Sequence, residues 1–235
     1  MVIPDRSLDH PAWTALHAGH AQFALTHGDA ARYQPDVAPF VAVSDAPGDS
    51  VWADLFALVG GGATATLIDP PQPLPAGWEV VGMGHGVQLV EESIDAVHDD
   101  EAIELAARDV PEMLDLVART KPGPFLPRTI ELGHYLGIRR DGRLVAMAGE
   151  RVQPPGWTEI SAVCTDDAYR GQGLGARLVR AVAAGIHDRG ERAFLHALAS
   201  NANAIRLYES LGFVMRRDRA FTTVQLPDSS TSPTS

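Results

Sequence analysis

Three glycines stand within five residues, at Gly171, Gly173 and Gly175, directly after Arg170 and between two segments of different periodicity. Upstream, the run 159–164 is short and largely apolar and reads as a strand. Downstream, Leu174, Leu178, Val182 and Ile186 recur every four residues, the pattern of one helix face, and Arg189-Gly190 closes it. A passage from strand through glycine loop to helix commits this part of the chain to an α/β architecture. It also points to a chemistry. Glycine lets the backbone approach a ligand closely, and successive N–H groups turned to one point hold an anion. The helix N-terminus adds about half a positive charge, and Arg170 adds a full one. Together these suit a pyrophosphate.

The flanking segments carry their own signals. The runs 134–139 and 144–150 around Asp141-Gly142 predict a β-hairpin. Pro154-Pro155-Gly156 interrupts the chain before the 159–164 strand. Further on, 193–198 reads as a buried strand. A second helix spans 201–210, with Ile205, Tyr208 and Leu211 on related turns and Gly212 as its stop. Residues 213–215 and 221–226 read as a terminal hairpin. Before position 134, a short strand is expected over 103–106. Asp109 and Glu112 have capping-box spacing for a helix through Met113, Leu116 and Val117. The proline-rich segment 121–127 is a loop of the kind that lines functional openings.

Two chemistries fit the glycine loop. Gly171-x-Gly173-x-x-Ala176 matches the loose form of a dinucleotide fingerprint, with Glu191 twenty residues past Gly171. A dinucleotide loop, however, follows its strand at once, whereas six residues separate Cys164 from Gly171. The 60 residues after Gly175 are also few for the doubly wound sheet such a loop opens. The second reading accounts for more of the chain. Glu159-Ile-Ser-Ala-Val-Cys-Thr165, Tyr169-Arg-Gly-Gln-Gly-Leu-Gly175 and Asn201-Ala-Asn-Ala-Ile-Arg-Leu-Tyr-Glu-Ser-Leu-Gly-Phe213, in this order, resemble the GNAT superfamily of acyl-CoA-dependent N-acyltransferases over about residues 101–226. Within that superfamily, 125–151 followed by 159–165 looks like the subgroup related to glycine N-acyltransferases. That subgroup carries an N-terminal region resembling a partial copy of the fold.

The resemblance implies an α/β (α+β) fold with a mixed, mostly antiparallel sheet flanked by helices. The sheet is expected to splay between the Glu159 strand and the Ala193 strand, leaving a gap for acyl-CoA. The implied reaction is direct transfer of an acetyl group from acetyl-CoA, a cosubstrate, to an amine in a ternary complex. By the same resemblance, backbone N–H groups of Arg170, Gly171, Gln172, Gly173, Leu174 and Gly175 wrap the pyrophosphate. Backbone groups of Val163, Cys164 and Thr165 pair with the pantetheine arm as an added strand. An N–H near Val163 polarises the thioester carbonyl. Asn201 contacts the CoA, and Tyr208 protonates the leaving thiolate, a role open to a phenol. Glu159 is the first candidate for the base that takes the amine proton. Glu150, His196 and a water chain stay open beside it.

Composition narrows the remaining options. Thirty acidic residues against nineteen basic ones give a net charge of −11, which disfavours a nucleic-acid partner. With 45% hydrophobic residues the chain can bury a core. Cys164 is the only cysteine, which excludes an internal disulfide and a cysteine zinc site and reads as a buried thiol. Asp9 and Pro11 open a predicted amphipathic helix through position 27. Of its histidines only His17 and His20 have ligand spacing, so no metal site is expected. The N-terminus has no basic stretch before an apolar run, and no stretch reaches 18 apolar residues, so a cytoplasmic protein without a membrane span is expected. Arg128 and Arg139 are candidates for holding a carboxylate on the acceptor. The acidic stretch 91–101 is the expected boundary. It divides the chain into an N-terminal α/β region, 1–95, an acyltransferase domain, 96–226, and a disordered tail, 227–235. Strands are expected at 40–43, 64–68, 78–83 and 87–90, with a short helix at 50–58. A small-molecule or amino-acid amine is the expected acceptor, and a homodimer is an open option. Two other readings stand beside the enzyme: a catalytically silent acyl-CoA-binding module and a protein acetyltransferase.

Overall fold

A computed structural model of the chain describes residues 6–44 and 46–228. In chain order the elements are α1 (Pro11–Leu16), β1 (Ala24–His27), β2 (Ala30–Tyr33), β3 (Val41–Val43), α2 (Val51–Val59), β4 (Thr64–Ile68), β5 (Glu79–Glu91), β6 (Ile103–Glu104), α3 (Val110–Thr120), β7 (Tyr135–Arg140), β8 (Arg143–Glu150), β9 (Trp157–Thr165), α4 (Leu174–Asp188), β10 (Arg192–Leu198), α5 (Ala202–Ser210) and β11 (Phe213–Gln225). Strands β1, β2 and β3 form a small antiparallel sheet. The other eight form one sheet in the order β4-β11-β5-β10-β9-β8-β7-β6. Here β9 and β10 run parallel, and the other neighbours pair antiparallel. The fold is thus the expected mixed α/β arrangement, a mostly antiparallel sheet flanked by helices.

The apolar periodicity of α4 explains its position. Leu174, Leu178, Val182 and Ile186 are buried against Leu89, Ile160, Leu195 and Phe213, together with Tyr208 of α5. The opposite face carries α3, where Met113 and Leu116 pack with Tyr135, Met147, Ala162 and Cys164. Beside α3 lies an N-terminal layer, in which Leu8 and Ala15, together with Val152 and Trp157 of the β8–β9 connection and β9, cover Phe194. Helix α2 closes the far end over β4 and β11, through Val51, Leu55, Leu67 and Val224.

Several local expectations are corrected. The helix expected through position 27 ends at Leu16. The chain then turns into β1, and Gly28-Asp29 makes the β1–β2 turn, with Asp29 N–H donating to Asp54 Oδ2 at 3.1 Å. Asp9 does not cap α1 but pairs with Arg216 and Arg217 of β11. Asp109 and Glu112 do not form a capping box for α3. Asp109 accepts from Ala106 N–H, and both carboxylates hold Arg139. The two strands expected at 78–83 and 87–90 are one, β5. Its glycines do not break it: a Cβ at Gly86 would run into the Phe221 ring, so glycine there permits a close approach within a strand. The terminal hairpin is likewise one long strand, β11. A bulge at Arg216 shifts its register against β5 between Met215 and Arg217.

The acidic stretch 91–101 lies along α4. Glu91 pairs with His187 at 2.8 Å, Asp99 with Arg177 at 2.6 Å, and Glu101 with Arg177 at 2.8 Å. Sheet hydrogen bonds also cross the stretch, because β5 lies between β10 and β11. Of the expected tail, residues 229–235 lie outside the described residues.

Two predictions follow from this topology. A chain beginning at residue 96 lacks β5 and separates β10 from β11. It is expected to show no cooperative thermal transition by circular dichroism, whereas the full chain melts in one step. The second concerns His20, buried between the Tyr33 hydroxyl and the Leu132 carbonyl, whose imidazole is held down to about 4, chiefly by burial. The unfolded chain takes up that proton near pH 6.5. Stability from this group is therefore full above about pH 6.5 and lost as pH falls toward 4. Between pH 7 and 5 the melting temperature of a His20→Gln variant should fall less than that of the parent chain.

Candidate functional site

The glycine loop sits between the end of β9 and the start of α4. Gly171 and Gly173 have φ of +78° and +75°, a region unfavourable for other residues. A Cβ at either position would meet nothing within 4 Å, so the loop borders open space. Gly173 is the residue before α4 and offers no side chain to the first N–H groups of the helix. Gly175 packs toward Val163 and Thr165, which ties the helix start to the end of β9. Arg170 is exposed and pairs with Asp167 at 2.7 Å. A solvent-open, glycine-rich loop at a helix N-terminus, with one guanidinium beside it, fits a pyrophosphate.

This cradle stands at the mouth of a split in the sheet. Strands β9 and β10 pair at Trp157/Arg192, Thr158/Ala193 and Glu159/Phe194 and no further. Beyond that point β10 stays with β5, and β9 stays with β8. Within the diverging part, Ala162 has φ of +53°, and the β8–β9 register shifts between Met147 and Gly149. This bulge re-aims the backbone of Val163, Cys164 and Thr165. Val163 and Thr165 turn toward the α4 start, and Cys164 is buried under α3. Burial pushes the Cys164 thiol up to about 11, so it is not a poised nucleophile.

Helix α5 brings Tyr208 into the core beside α4. The residue is 8% exposed, with its ring edge-on to Phe213 at 6.3 Å. Burial, and then the nearby Cys164, push the phenol up to about 12, so it stays protonated at any physiological pH. Asn201 is the N-cap of α5, where its Oδ1 accepts from Ala204 N–H at 3.2 Å.

Glu159 occupies a different environment from that of a free carboxylate. It is 1% exposed and bound by Arg151 through Nε at 2.9 Å and Nη2 at 2.7 Å. His196 donates from Nδ1 to the same carboxylate at 2.8 Å. Burial pushes the Glu159 carboxyl up, but Arg151 and His196 outweigh it and hold it at about 2. The base expected at Glu159 is therefore a locked ion pair. Its alternative, Glu150, pairs across the ladder with Ile160 and is held by Arg189 at 2.9 Å, beside the C-terminal end of α4. Sequence reasoning missed Arg151. Its signal was a pair of opposite charges facing each other across a hairpin: Arg151 N–H donates to Glu159 O, and Glu159 N–H to Val152 O.

Arg128 and Arg139, expected to be free for an acceptor carboxylate, are used internally. Arg128 pairs with Glu131 and Asp36, and Arg139 with Asp109 and Glu112. Among the described residues, no group of three or more His, Cys, Asp or Glu side chains could hold a metal ion.

Comparison with known proteins agrees with this geometry. Residues 135–222 match a family model described as FR47-like protein. An N-alpha-acetyltransferase RimI from Mycobacterium tuberculosis is 39% identical over 83 residues, 34% of this chain and 51% of the relative. A mycothiol acetyltransferase from Thermomonospora curvata is 41% identical over 75 residues, 32% of this chain and 25% of the relative. The chain thus spans about half the length of the first of these relatives and a quarter of the second. The solved structure of a GNAT-family protein from Novosphingobium aromaticivorans is 39% identical, covers 94% of this chain and 99% of its own, and superposes with a TM-score of 0.86. At that identity over nearly the whole of both chains, the protein belongs to the GNAT family.

Proposed function

We propose that the protein transfers an acetyl group from acetyl-CoA to a primary amine by direct attack in a ternary complex. The observation that carries this reading is the open glycine cradle at the α4 N-terminus, set at the mouth of the β9–β10 split. Backbone N–H groups of Arg170 through Gly175 hold the pyrophosphate. The free edge of Val163, Cys164 and Thr165 pairs with the pantetheine arm, and an N–H near Val163 polarises the thioester carbonyl. Asn201 borders the bound CoA. The amine nitrogen attacks the carbonyl carbon, the C–S bond breaks, and the Tyr208 hydroxyl gives its proton to the departing sulfur. Tyr208 then recovers a proton from the nitrogen of the adduct, so the protein ends the cycle unchanged.

The acceptor is a small molecule or an amino acid. An α-amino group is the first to test, because the M. tuberculosis relative is named an N-alpha-acetyltransferase. We further propose that residues 1–95 act as the N-terminal part seen in the glycine N-acyltransferase-like subgroup, joined to 96–226 through the shared sheet. The protein is proposed to work in the cytoplasm, with a homodimer compatible with this arrangement. A second reading, an acyl-CoA-binding module without turnover, is favoured by one observation: Glu159 and His196 are both held by other protein groups.

Two experiments test these readings. Calorimetry should give micromolar binding of acetyl-CoA to the parent chain and at least roughly tenfold weaker binding to Gly173→Glu, which sets a charge and a strained residue in the cradle. The added side chain points into open space, so the variant should keep a cooperative melt. Absence of binding by a folded parent chain removes the acyltransferase reading. In the second experiment, amines are screened by released thiol. Tyr208→Phe should lower kcat by about 10²-fold or more while leaving acetyl-CoA affinity within a few-fold. Binding with no thiol released from any amine supports the silent module instead.

A further inference from the structure

The two faces of the split carry different chemistry. Leu195 of β10 lies in the core with α4 and Tyr208, so its neighbours Phe194 and His196 turn to the other face, under the N-terminal layer. Glu159 is paired with Phe194 and shares that second face. The leaving-group side thus has a phenol, and the opposite side has a carboxylate and an imidazole, the groups a general base would be drawn from.

Both groups are held by protein partners. One Glu159 oxygen accepts from Arg151 Nη2 and His196 Nδ1, and the other accepts from Arg151 Nε. The far nitrogen of His196, Nε2, faces the Gln88 amide nitrogen at 3.3 Å. Gln88 cannot turn its oxygen there, because that oxygen accepts from Arg216 at 2.8 Å and its nitrogen donates to the Leu8 carbonyl at 2.9 Å. His196 therefore carries its proton on Nδ1, and its lone pair points to β5, away from the split. A proton added at Nε2 would set two donors face to face. The other groups around Glu159 are the buried hydroxyls of Tyr33 on β2 and Tyr135 on β7, with Glu150 of β8 beyond Tyr135. The Arg151 guanidinium itself lies over the Phe40 ring at 4.8 Å.

We propose that Glu159 and His196 are positioning residues and that the acceptor amine enters the site already neutral, with no side chain on this face taking its proton. The inference rests on the acyltransferase reading. In the balanced step the neutral amine forms the C–N bond and the C–S bond breaks. One N–H proton ends on the CoA sulfur by way of Tyr208, and the protein gains no proton. The Glu159 carboxylate, ionised because its partners hold the carboxyl at about 2, agrees with this, since so weak a base keeps no proton near neutrality.

The test uses the full chain with acetyl-CoA. In a ¹³C-glutamate and ¹⁵N-histidine labelled sample, the Glu159 carboxyl resonance should stay flat between pH 5 and 9, and His196 should be the Nδ1–H tautomer at pH 7.5. A Glu159 titration inside that range, or the Nε2–H tautomer, overturns the proposal. Kinetics give an independent readout with two probes: a tripeptide with a free α-amino group and Nα-acetyl-lysine methyl ester. For each, log kcat/KM should rise with unit slope and level at the amine's own pKa, so the two breaks fall about 2.5 pH units apart. A break shared by both amines marks a base on the enzyme and overturns the proposal. Glu159→Gln should move neither break, although it lowers the melting temperature; loss of the break in that variant also overturns it. If this variant does not fold, or neither probe is acetylated, the resonance titration of the parent chain decides. Calorimetry on the same sample keeps the two readings apart. Failure to bind acetyl-CoA removes the acyltransferase reading, while the titration still judges the roles of Glu159 and His196.

Discussion

The pairing of β9 with β10 stops after Glu159 and Phe194, and the site is built around that stop. A parallel pair that continued would consume the edges of both strands. Because it ends, 160–165 of β9 and 195–198 of β10 keep free edges inside an otherwise continuous sheet. Such edges invite pairing with other chains when they lie at a surface. Here α4 and α5 cover one side and α3 with the N-terminal layer covers the other, so only an extended, narrow ligand can use them. The bulge at Ala162 belongs to the same device. A non-glycine residue at φ of +53° costs about 1 kcal/mol or more. The position is held by its burial among Leu105, Met113 and Phe125.

The apex of the split needs its own support, since three ladder positions hold it closed. That support is ionic. Removing one partner from a buried ion pair costs about 3–5 kcal/mol, because the remaining charge is left without compensation. Glu159 is buried and accepts from both Arg151 and His196, and the Arg151 guanidinium is largely covered. The same arrangement explains the N-terminal layer. Phe40 covers the guanidinium, and the Leu8 carbonyl accepts from Gln88, Arg216 and Arg219. Leu8 and the strand β11 thus meet close to the apex.

The parts of this arrangement that were legible in the sequence are local. The glycine loop, the α4 face, the β7–β8 hairpin and the α5 helix each lie within a short window, and their periodicity or turn residues name them. The place of Tyr208 on α5 and of the glycines before α4 was legible for the same reason. The failures share a cause of the opposite kind. Residues 84–86 were left between two expected strands, but in β5 Gly86 answers to the Phe221 ring of another strand. Residues 17–27 kept a helical spacing that β1–β2 pairing overrode. Glu159 was legible as a strand carboxylate, but its partners arrive from β10 and from beyond a proline turn. Its ionisation depends on those partners and was therefore hidden.

That dependence also bears on how charge is distributed. The chain is acidic overall, at −11, yet Arg151, Arg216, Arg217 and Arg219 gather on the N-terminal face of the sheet. Three carboxylates answer them there: Glu159, Asp9 and Asp69. Four guanidiniums thus face three carboxylates, and the cluster nearly neutralises itself. A protonated amine approaching this face finds no uncompensated carboxylate, while the neutral form loses little by leaving water. Burial and internal pairing, rather than a poised base, thus favour the uncharged acceptor. On the proposed reading, the same pairs that close the apex of the sheet set the protonation state in which the acceptor enters.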